Sequence, residues 1–193
     1  GGRQELVSEF VLSLTPLRPG NLELPPPKVT GTRPGAYGGS ERYTATAAGP
    51  IRLTVRPAMA SVQPWLPLHS LTLNGSIDRP ERLAPGQPVT LIIEIGAEGG
   101  RPSQLPNLEE QLVSPDFRIY REQTLNDGGL SKDGRHLTAK RSEYYTLVPQ
   151  SGGTLRLPEI TVPWWNLETN TRQVASLPIR TLSIQGPGGA AGL

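Results

Sequence analysis

The sequence contains no cysteine, only two histidines and a single methionine among its 193 residues. The absence of cysteine excludes disulfide bonds, thiolate metal sites and a cysteine nucleophile. His69 follows a proline-rich stretch and His136 lies beside a glycine turn, so both are expected to be ordinary surface residues. No Gly-x-Ser-x-Gly, no phosphate-cradling glycine loop and no His-Glu-x-x-His pattern occurs. The sequence therefore predicts neither an enzyme nor a cofactor or metal site.

A large net charge and long apolar runs are also missing. The 19 basic and 17 acidic residues nearly cancel, and their local clusters are too small to follow a phosphate backbone, so nucleic acid is not expected as a partner. No stretch approaches the roughly 18 to 20 consecutive apolar residues of a membrane-spanning helix. We expect a soluble piece of a larger anchored protein, because Gly1-Gly2 and the glycine-rich end resemble cut edges.

Proline and glycine are abundant, with 21 and 22 residues, and they separate short runs of alternating apolar and polar residues. Such alternation predicts half-buried strands at 71–77 and 88–95. Further strands are predicted at Phe10–Leu14, Asn21–Leu24, Ile51–Val55, Phe117–Tyr120, Glu143–Val148, Thr154–Leu157 and Pro178–Ile184. Turns are predicted at Asn126–Gly129 and Asp133–Gly134. Helical spacing of leucines predicts one short helix at Gln104–Leu112.

An internal repeat is the most informative pattern. Gly-Asn-Leu-Glu-Leu-Pro at Gly20–Pro25 matches Gly-Thr-Leu-Arg-Leu-Pro at Gly153–Pro158. A looser match closes each copy, with Pro50-Ile-Arg52 corresponding to Pro178-Ile-Arg180. Each copy reads as strand, glycine turn, Leu-x-Leu-Pro strand, proline-rich passage and last strand. That order is typical of the C-terminal half of a β-sandwich.

The predicted fold is all-β, an immunoglobulin-like β-sandwich with one complete domain and a partial one before it. The complete sandwich is expected at residues 70–185, after a proline-rich linker at 58–69 and before a flexible glycine-rich tail at 186–193. Residues 1–57 supply only the C-terminal half of a sandwich. Its missing strands are expected upstream of Gly1; otherwise the half packs on the second unit, or its unpaired edge strands make a homo-oligomer with another copy.

The segment from Leu157 to Thr171, which contains Pro163-Trp-Trp-Asn166, and the following Ala175-Ser-Leu-Pro178 resemble the BatD family, also called oxygen-tolerance proteins. The stretch Leu14–Gly20 resembles the family's upstream repeat. The resemblance implies a periplasmic protein of tandem Ig-like domains, anchored in the inner membrane by segments outside this sequence. It also implies protein partners, namely von Willebrand A-type Bat proteins and MoxR-type ATPases.

Trp164 and Trp165 are adjacent in an extended segment, so their rings point to opposite faces and cannot enter the same core. One ring fills the sandwich; the other is covered by a loop or an arginine, or serves as an aromatic anchor for a partner. Trp65, between Pro64 and Pro67, is expected to wedge the joint between the two units.

Acidic residues supply the second group of candidates. Family context suggests that Glu109, Glu110 and Asp116 present carboxylates to a metal ion held by a von Willebrand A partner. Asn126-Asp127 with Asp133 resembles a calcium loop only loosely, since the alternating acidic positions are missing. A solvated hairpin tip is the better interpretation of that stretch.

The sequence therefore predicts a non-catalytic protein–protein interaction or scaffold module of a bacterial envelope complex. Two alternatives stay open. A structural spacer, which would hold an assembly away from the membrane, predicts no contiguous apolar patch on the surface. A carbohydrate-binding sandwich predicts two or more coplanar aromatic rings beside polar side chains.

Overall fold

The computed structural model describes residues 7–186. The predicted tail at 186–193 lies, apart from Gly186, outside the described residues, as does the expected N-terminal edge at Gly1-Gly2. The chain divides into two compact units, Gly1–Ala58 and Met59–Leu193. The only helical segments described are three single 3-10 turns, at Pro80–Arg82, Pro102–Gln104 and Glu109–Gln111. The prediction of an all-β sandwich is confirmed.

The first unit contains four strands. They are β1 (Gly20–Leu24), β2 (Lys28–Pro34), β3 (Ser40–Thr46) and β4 (Ile51–Val55). β1 pairs antiparallel with β4, and β2 pairs antiparallel with β3. The β2–β3 hairpin was not predicted, because its residues show no apolar alternation and all but Gly31 are exposed.

The predicted strand at Phe10–Leu14 is wrong. This stretch is irregular and exposed, with the Phe10 side chain 74% accessible. An apolar alternation becomes a strand only where a neighbouring strand accepts its hydrogen bonds, and no described strand runs beside it.

The second unit contains nine strands, which form two layers. They are β5 (Pro67–Leu68), β6 (Ser70–Ile77), β7 (Val89–Glu98), β8 (Phe117–Leu130), β9 (Leu137–Pro149), β10 (Gly153–Leu157), β11 (Ile160–Asn166), β12 (Thr171–Leu177) and β13 (Arg180–Ile184). One layer is a four-stranded sheet in the order β6-β7-β9-β8. The other holds a three-stranded sheet, β12-β11-β5, and the antiparallel pair β10–β13.

The core lies between these layers. Residues on β7 alternate strictly between buried and half-buried positions from Val89 onward, as expected for a strand with one face packed. Ile93 and Ile95 of this strand are fully buried, as are Tyr145 and Leu147 of β9. Burying each of these aliphatic side chains contributes about 1.5–3 kcal/mol. The core therefore fixes which face of each strand points outward.

The segment predicted as a linker differs from the expectation. Val62, Leu66 and Leu68 are buried, and β5 pairs in parallel with the end of β11. The proline content suggested an extended connection outside the core. The apolar residues Val62, Leu66 and Leu68, which alternate with less buried ones, are instead part of the core. The predicted helix at Gln104–Leu112 is also wrong: two 3-10 turns replace it, because Pro106 favours an extended conformation at Leu105, which has a ψ of 136° and ends the first turn.

The turn predicted at Asn126–Gly129 is wrong as well. These residues continue β8, with Asn126 opposite Arg141 and Asp127 opposite Lys140. The long partner strand β9 offers a ladder as far as Leu137, so the chain reverses only after Leu130. The actual turn is closed by a hydrogen bond from the Ser131 N–H to the His136 carbonyl oxygen, 2.8 Å.

The sequence repeat corresponds to the same strand pairing in both units. Gly20 and Gly153 open the two copies with φ values of 114° and 95°, a region that favours glycine. In each copy the first strand pairs with the last, and the strands between them form a hairpin. The facing leucines are equivalent: Leu22 with Leu53, and Leu155 with Leu182.

Candidate partner-binding face

Strand β11 places its two tryptophans on opposite faces, as alternation requires. Trp164 points inward and is only 5% exposed, so it belongs to the core. Trp165 points outward, is half-buried, and lies directly opposite Arg172 of β12. Of the two candidates, only Trp165 is therefore accessible at the surface.

Trp65 covers one side of Trp165. The segment before β5 runs along β11, where the Trp165 N–H donates to the Leu66 carbonyl oxygen at 2.9 Å. This pairing brings the two indole rings together, with centroids 5.9 Å apart and planes tilted by 41°. Trp65, expected to wedge the joint between units, thus packs against a ring of its own unit.

Arg172 and Val174 extend this surface along β12. The Arg172 Nε donates to the Ser61 carbonyl oxygen at 2.9 Å, which holds the guanidinium beside Trp165. Val174 lies opposite Pro163 and is 46% exposed. We call the surface made by Trp65, Pro163, Trp165, Arg172 and Val174 the outer face. It combines apolar area with one cation.

The turn that carries Glu109 and Glu110 is fastened to the edge of the same strand. The Gln111 Nε2 donates to the Thr161 carbonyl oxygen at 3.0 Å, and its Oε1 accepts from the Thr161 N–H at 2.8 Å. Thr161 precedes Trp165 on β11 by about 13 Å at the ordinary rise of a strand. The structure thus brings both groups of sequence-predicted residues to one strand.

The predicted acidic residues differ in what their carboxylates contact. Glu109 accepts a hydrogen bond from Arg121 Nη1 at 2.9 Å, and this bond raises the pKa of Arg121. Asp116 accepts from the Arg156 N–H at 2.7 Å, so it stabilises a backbone connection. Glu110 is exposed and makes no ion pair or hydrogen bond with any described residue. Glu110 is therefore the carboxylate free for a partner.

A buried carboxylate supports this turn from below. Glu143 is 0% exposed, and its oxygens accept from Arg141 Nε at 2.6 Å, Tyr145 Oη at 2.5 Å and the Leu108 N–H at 3.3 Å. Burial, followed by the bond to Glu143, raises the pKa of Tyr145. Its burial was not predicted, although Glu143 shares the inward parity of Tyr145 and Leu147 in β9.

The two histidines are brought together. Their ring centroids lie 4.0 Å apart, and His69 Nδ1 lies 2.5 Å from a Glu168 carboxylate oxygen. Both are half-buried, which differs from the expectation of ordinary surface residues. Across residues 7–186, no group of three or more His, Asp or Glu side chains is placed to hold a metal ion.

Asn126-Asp127 and Asp133, which were predicted to share one hairpin tip, lie in different elements. Asp127 lies in the β8 ladder, whereas Asp133 lies in the turn that follows it. Asp133 accepts from Ser131 Oγ and from the Arg135 N–H, and the Ser131 bond is the main cause of the lowered pKa of Asp133.

A family model described as BatD DUF11 like domain matches residues 76–181, more than half of the chain. The chain belongs to the BatD family. BatD is not a known enzyme family, and its domains are associated with the cell envelope. No curated protein and no solved structure matches this BatD chain. Within the described part of the chain, no helix has the length and apolar character needed to cross a membrane.

Proposed function

We propose that this BatD chain is a non-catalytic protein–protein interaction module of a periplasmic complex, and that its partner docks on the outer face. The observation that carries the proposal is the outward-facing Trp65–Trp165 pair beside Arg172. Tryptophan and arginine are the residue types that dominate binding hot spots.

The way these side chains are held supports the proposal further. Each ring is half-buried against the other, and Arg172 is bonded to a backbone oxygen. Little rotamer freedom is left for a partner to restrict, and binding then costs less conformational entropy. The adjacent Val174 adds apolar area that a partner can remove from water.

The acidic turn suggests the class of partner. The resemblance described above implies von Willebrand A-type Bat proteins, with MoxR-type ATPases in the same assembly. Glu110, whose carboxylate has no described partner, could then complete the coordination of a metal ion held by such a domain. Gln111 fastens Glu110 to β11, the strand that carries Trp165. One partner could therefore contact both groups.

The two alternative functions fit the geometry less well. A carbohydrate platform needs coplanar rings, whereas the Trp65 and Trp165 planes are tilted by 41°. A passive spacer needs no apolar surface, yet Trp165, Pro163 and Val174 adjoin one another on the outer face.

The test begins with the intact chain as bait, which should recover a von Willebrand A-type protein from envelope extract. The affinity of the chain for that protein is then measured. Trp165→Ala should weaken binding at least about 30-fold, corresponding to the 2 kcal/mol of a hot spot. Tyr120→Ala is the matched control, because Tyr120 is an exposed aromatic on the opposite layer. Equal affinities for the Trp165 and Tyr120 variants would contradict the proposal.

A second arm tests the acidic turn. Glu110→Gln should weaken binding about tenfold when the partner holds its metal ion. It should have no effect after chelation, because the carboxylate then has no cation to coordinate. An unchanged affinity for the metal-loaded partner would remove Glu110 from the proposal and leave the outer face in place.

A further inference from the structure

The layer that contains β10–β13 has a gap between its two strand groups. The chain crosses the gap twice, through Leu157-Pro158 after β10 and through Leu177-Pro178 after β12. Proline cannot donate to a ladder, so each Leu-Pro step ends the pairing of its strand. The two prolines therefore keep the β10–β13 pair and the β11–β12 hairpin from joining into one continuous sheet.

Beneath this gap the opposite sheet lacks a side chain. The inward positions of β6 are Leu71, Leu73, Gly75 and Ile77, so glycine interrupts a row of large apolar residues. A Cβ built on Gly75 would lie 3.1 Å from Leu177 Cδ1. Leu177 thus occupies the space directly over Gly75, and a cavity of about 240 Å³ lies beside the two residues, between the layers. Apolar groups from both layers line it, including Leu91, Ile93, Leu112, Leu157, Ile160 and Leu177.

One charged residue lies at the edge of this cavity. Arg180 is the only charged side chain among the described residues that line it. Arg180 is exposed, and its guanidinium makes no ion pair or hydrogen bond with any residue in the range 7–186. Ile179 beside it is 60% exposed. An apolar chamber with a free cation at its edge complements a ligand that has an alkyl chain and an anionic head.

We propose that this cavity binds a free medium-chain carboxylate of about eight to ten carbons, with its alkyl chain between the layers and its carboxylate on Arg180. The length follows from volume. An apolar protein cavity of about 150 Å³ accommodates the six carbons of benzene, so the larger cavity takes a few carbons more. The cavity residues are separate from the outer face, so this proposal stands or fails independently of the proposed function.

The test is isothermal titration of the intact chain with decanoate and with decanol. The chain should bind one equivalent of decanoate. Gly75→Val, whose side chain would push Leu177 into the cavity from a backbone conformation that any residue can adopt, should weaken decanoate binding at least tenfold. Arg180→Gln should weaken decanoate at least fivefold and leave decanol within twofold, because only the carboxylate contacts the guanidinium. Arg118→Gln, an exposed arginine on the other layer, is the charge control and should match the native chain.

Three results of the titrations would overturn the proposal. They are the absence of saturable decanoate binding, equal weakening by Arg180→Gln and Arg118→Gln, and hexadecanoate binding more than tenfold tighter than decanoate, which a chamber of this size does not allow. Flotation of the chain with phosphatidylglycerol vesicles, abolished by Gly75→Val, would overturn it too, since the chamber would then take a membrane lipid. If Gly75→Val fails to fold, the decanoate and decanol affinities of Arg180→Gln decide.

Discussion

The two copies of the internal repeat have the same strand pairing but differ in how deeply their equivalent leucines are buried. In the second copy, Leu155 and Leu182 are buried under the β6-β7-β9-β8 sheet. In the first copy, the equivalent Leu22 and Leu53 are only half-buried. Among residues 7–58 the structure describes β1–β4 and no second layer over them.

This difference separates what a local sequence pattern encodes from what packing adds. A glycine turn and a Leu-x-Leu strand suffice to set the register of the first strand against the last, since both copies share it. Burial of the same leucines depends on a sheet formed by residues elsewhere in the chain. A substitution that strains the backbone should therefore cost both units the same stability. A substitution that shortens a leucine should destabilise the second unit more than the first.

The largest expected effect comes from shortening equivalent leucines. Leu155→Ala should lower the free energy of unfolding by about 2–5 kcal/mol, as a buried leucine does when it leaves a cavity. Leu22→Ala should leave the same transition unchanged. The readout is tryptophan fluorescence in a urea titration, because Trp65, Trp164 and Trp165 all lie in the second unit. Equal shifts would show that Leu22 contributes to the same cooperative core as Leu155.

An intermediate effect is expected from the buried Glu143 network of the second unit. Tyr145→Phe removes one donor from Glu143 and should cost about 1–3 kcal/mol at neutral pH. The pKa of Tyr145 is raised in the folded state. Its contribution to stability is therefore complete below the ordinary tyrosine pKa near 10 and is lost as the pH rises above it.

The measurement is urea unfolding at several pH values between 8 and 11. The native chain should lose about 1.4 kcal/mol per pH unit more than Tyr145→Phe above pH 10, which is the linkage of one proton. Tyr120→Phe, a change at an exposed tyrosine, is the control and should keep the native slope. If the free energy of unfolding falls with pH at the same slope in the native chain and in Tyr145→Phe, the extra loss does not come from Tyr145.

The smallest effect should be the same in both copies. Gly20→Ala and Gly153→Ala should each cost about 1–2 kcal/mol in local stability, because both positions have positive φ. A Cβ at either glycine would meet no atom within 4 Å, so backbone strain is the only cost. Hydrogen exchange of the flanking strand amides measures each change. If the two losses of local stability differ by more than about 1 kcal/mol, packing as well as backbone strain contributes to the cost of the substitution.

Much of the fold could be predicted from the sequence, because alternation and turn residues are local signals. The strands at 71–77 and 88–95, the repeat and the β-sandwich class are confirmed. The family resemblance is confirmed by the match at 76–181. The extension of β8 past Asn126 escaped prediction, because it depends on the length of a partner strand that is distant in sequence.

Less of the candidate site could be predicted. The opposite orientation of Trp164 and Trp165 followed from alternation, but the choice of which ring is exposed required the core. The contact of Trp65 with Trp165 and the fastening of Gln111 to Thr161 join residues far apart in the chain. Neither leaves a pattern in composition or spacing, so only the folded structure shows them.

The most direct test of the difference between the two copies is hydrogen exchange of the intact chain at neutral pH. Amides in β10 and β13 should be protected at least 100-fold more than their equivalents in β1 and β4, because the second pair opens only when the core unfolds. Equal protection in the two pairs would contradict the conclusion that, among the described strands of each unit, a second layer covers the second copy and none covers the first.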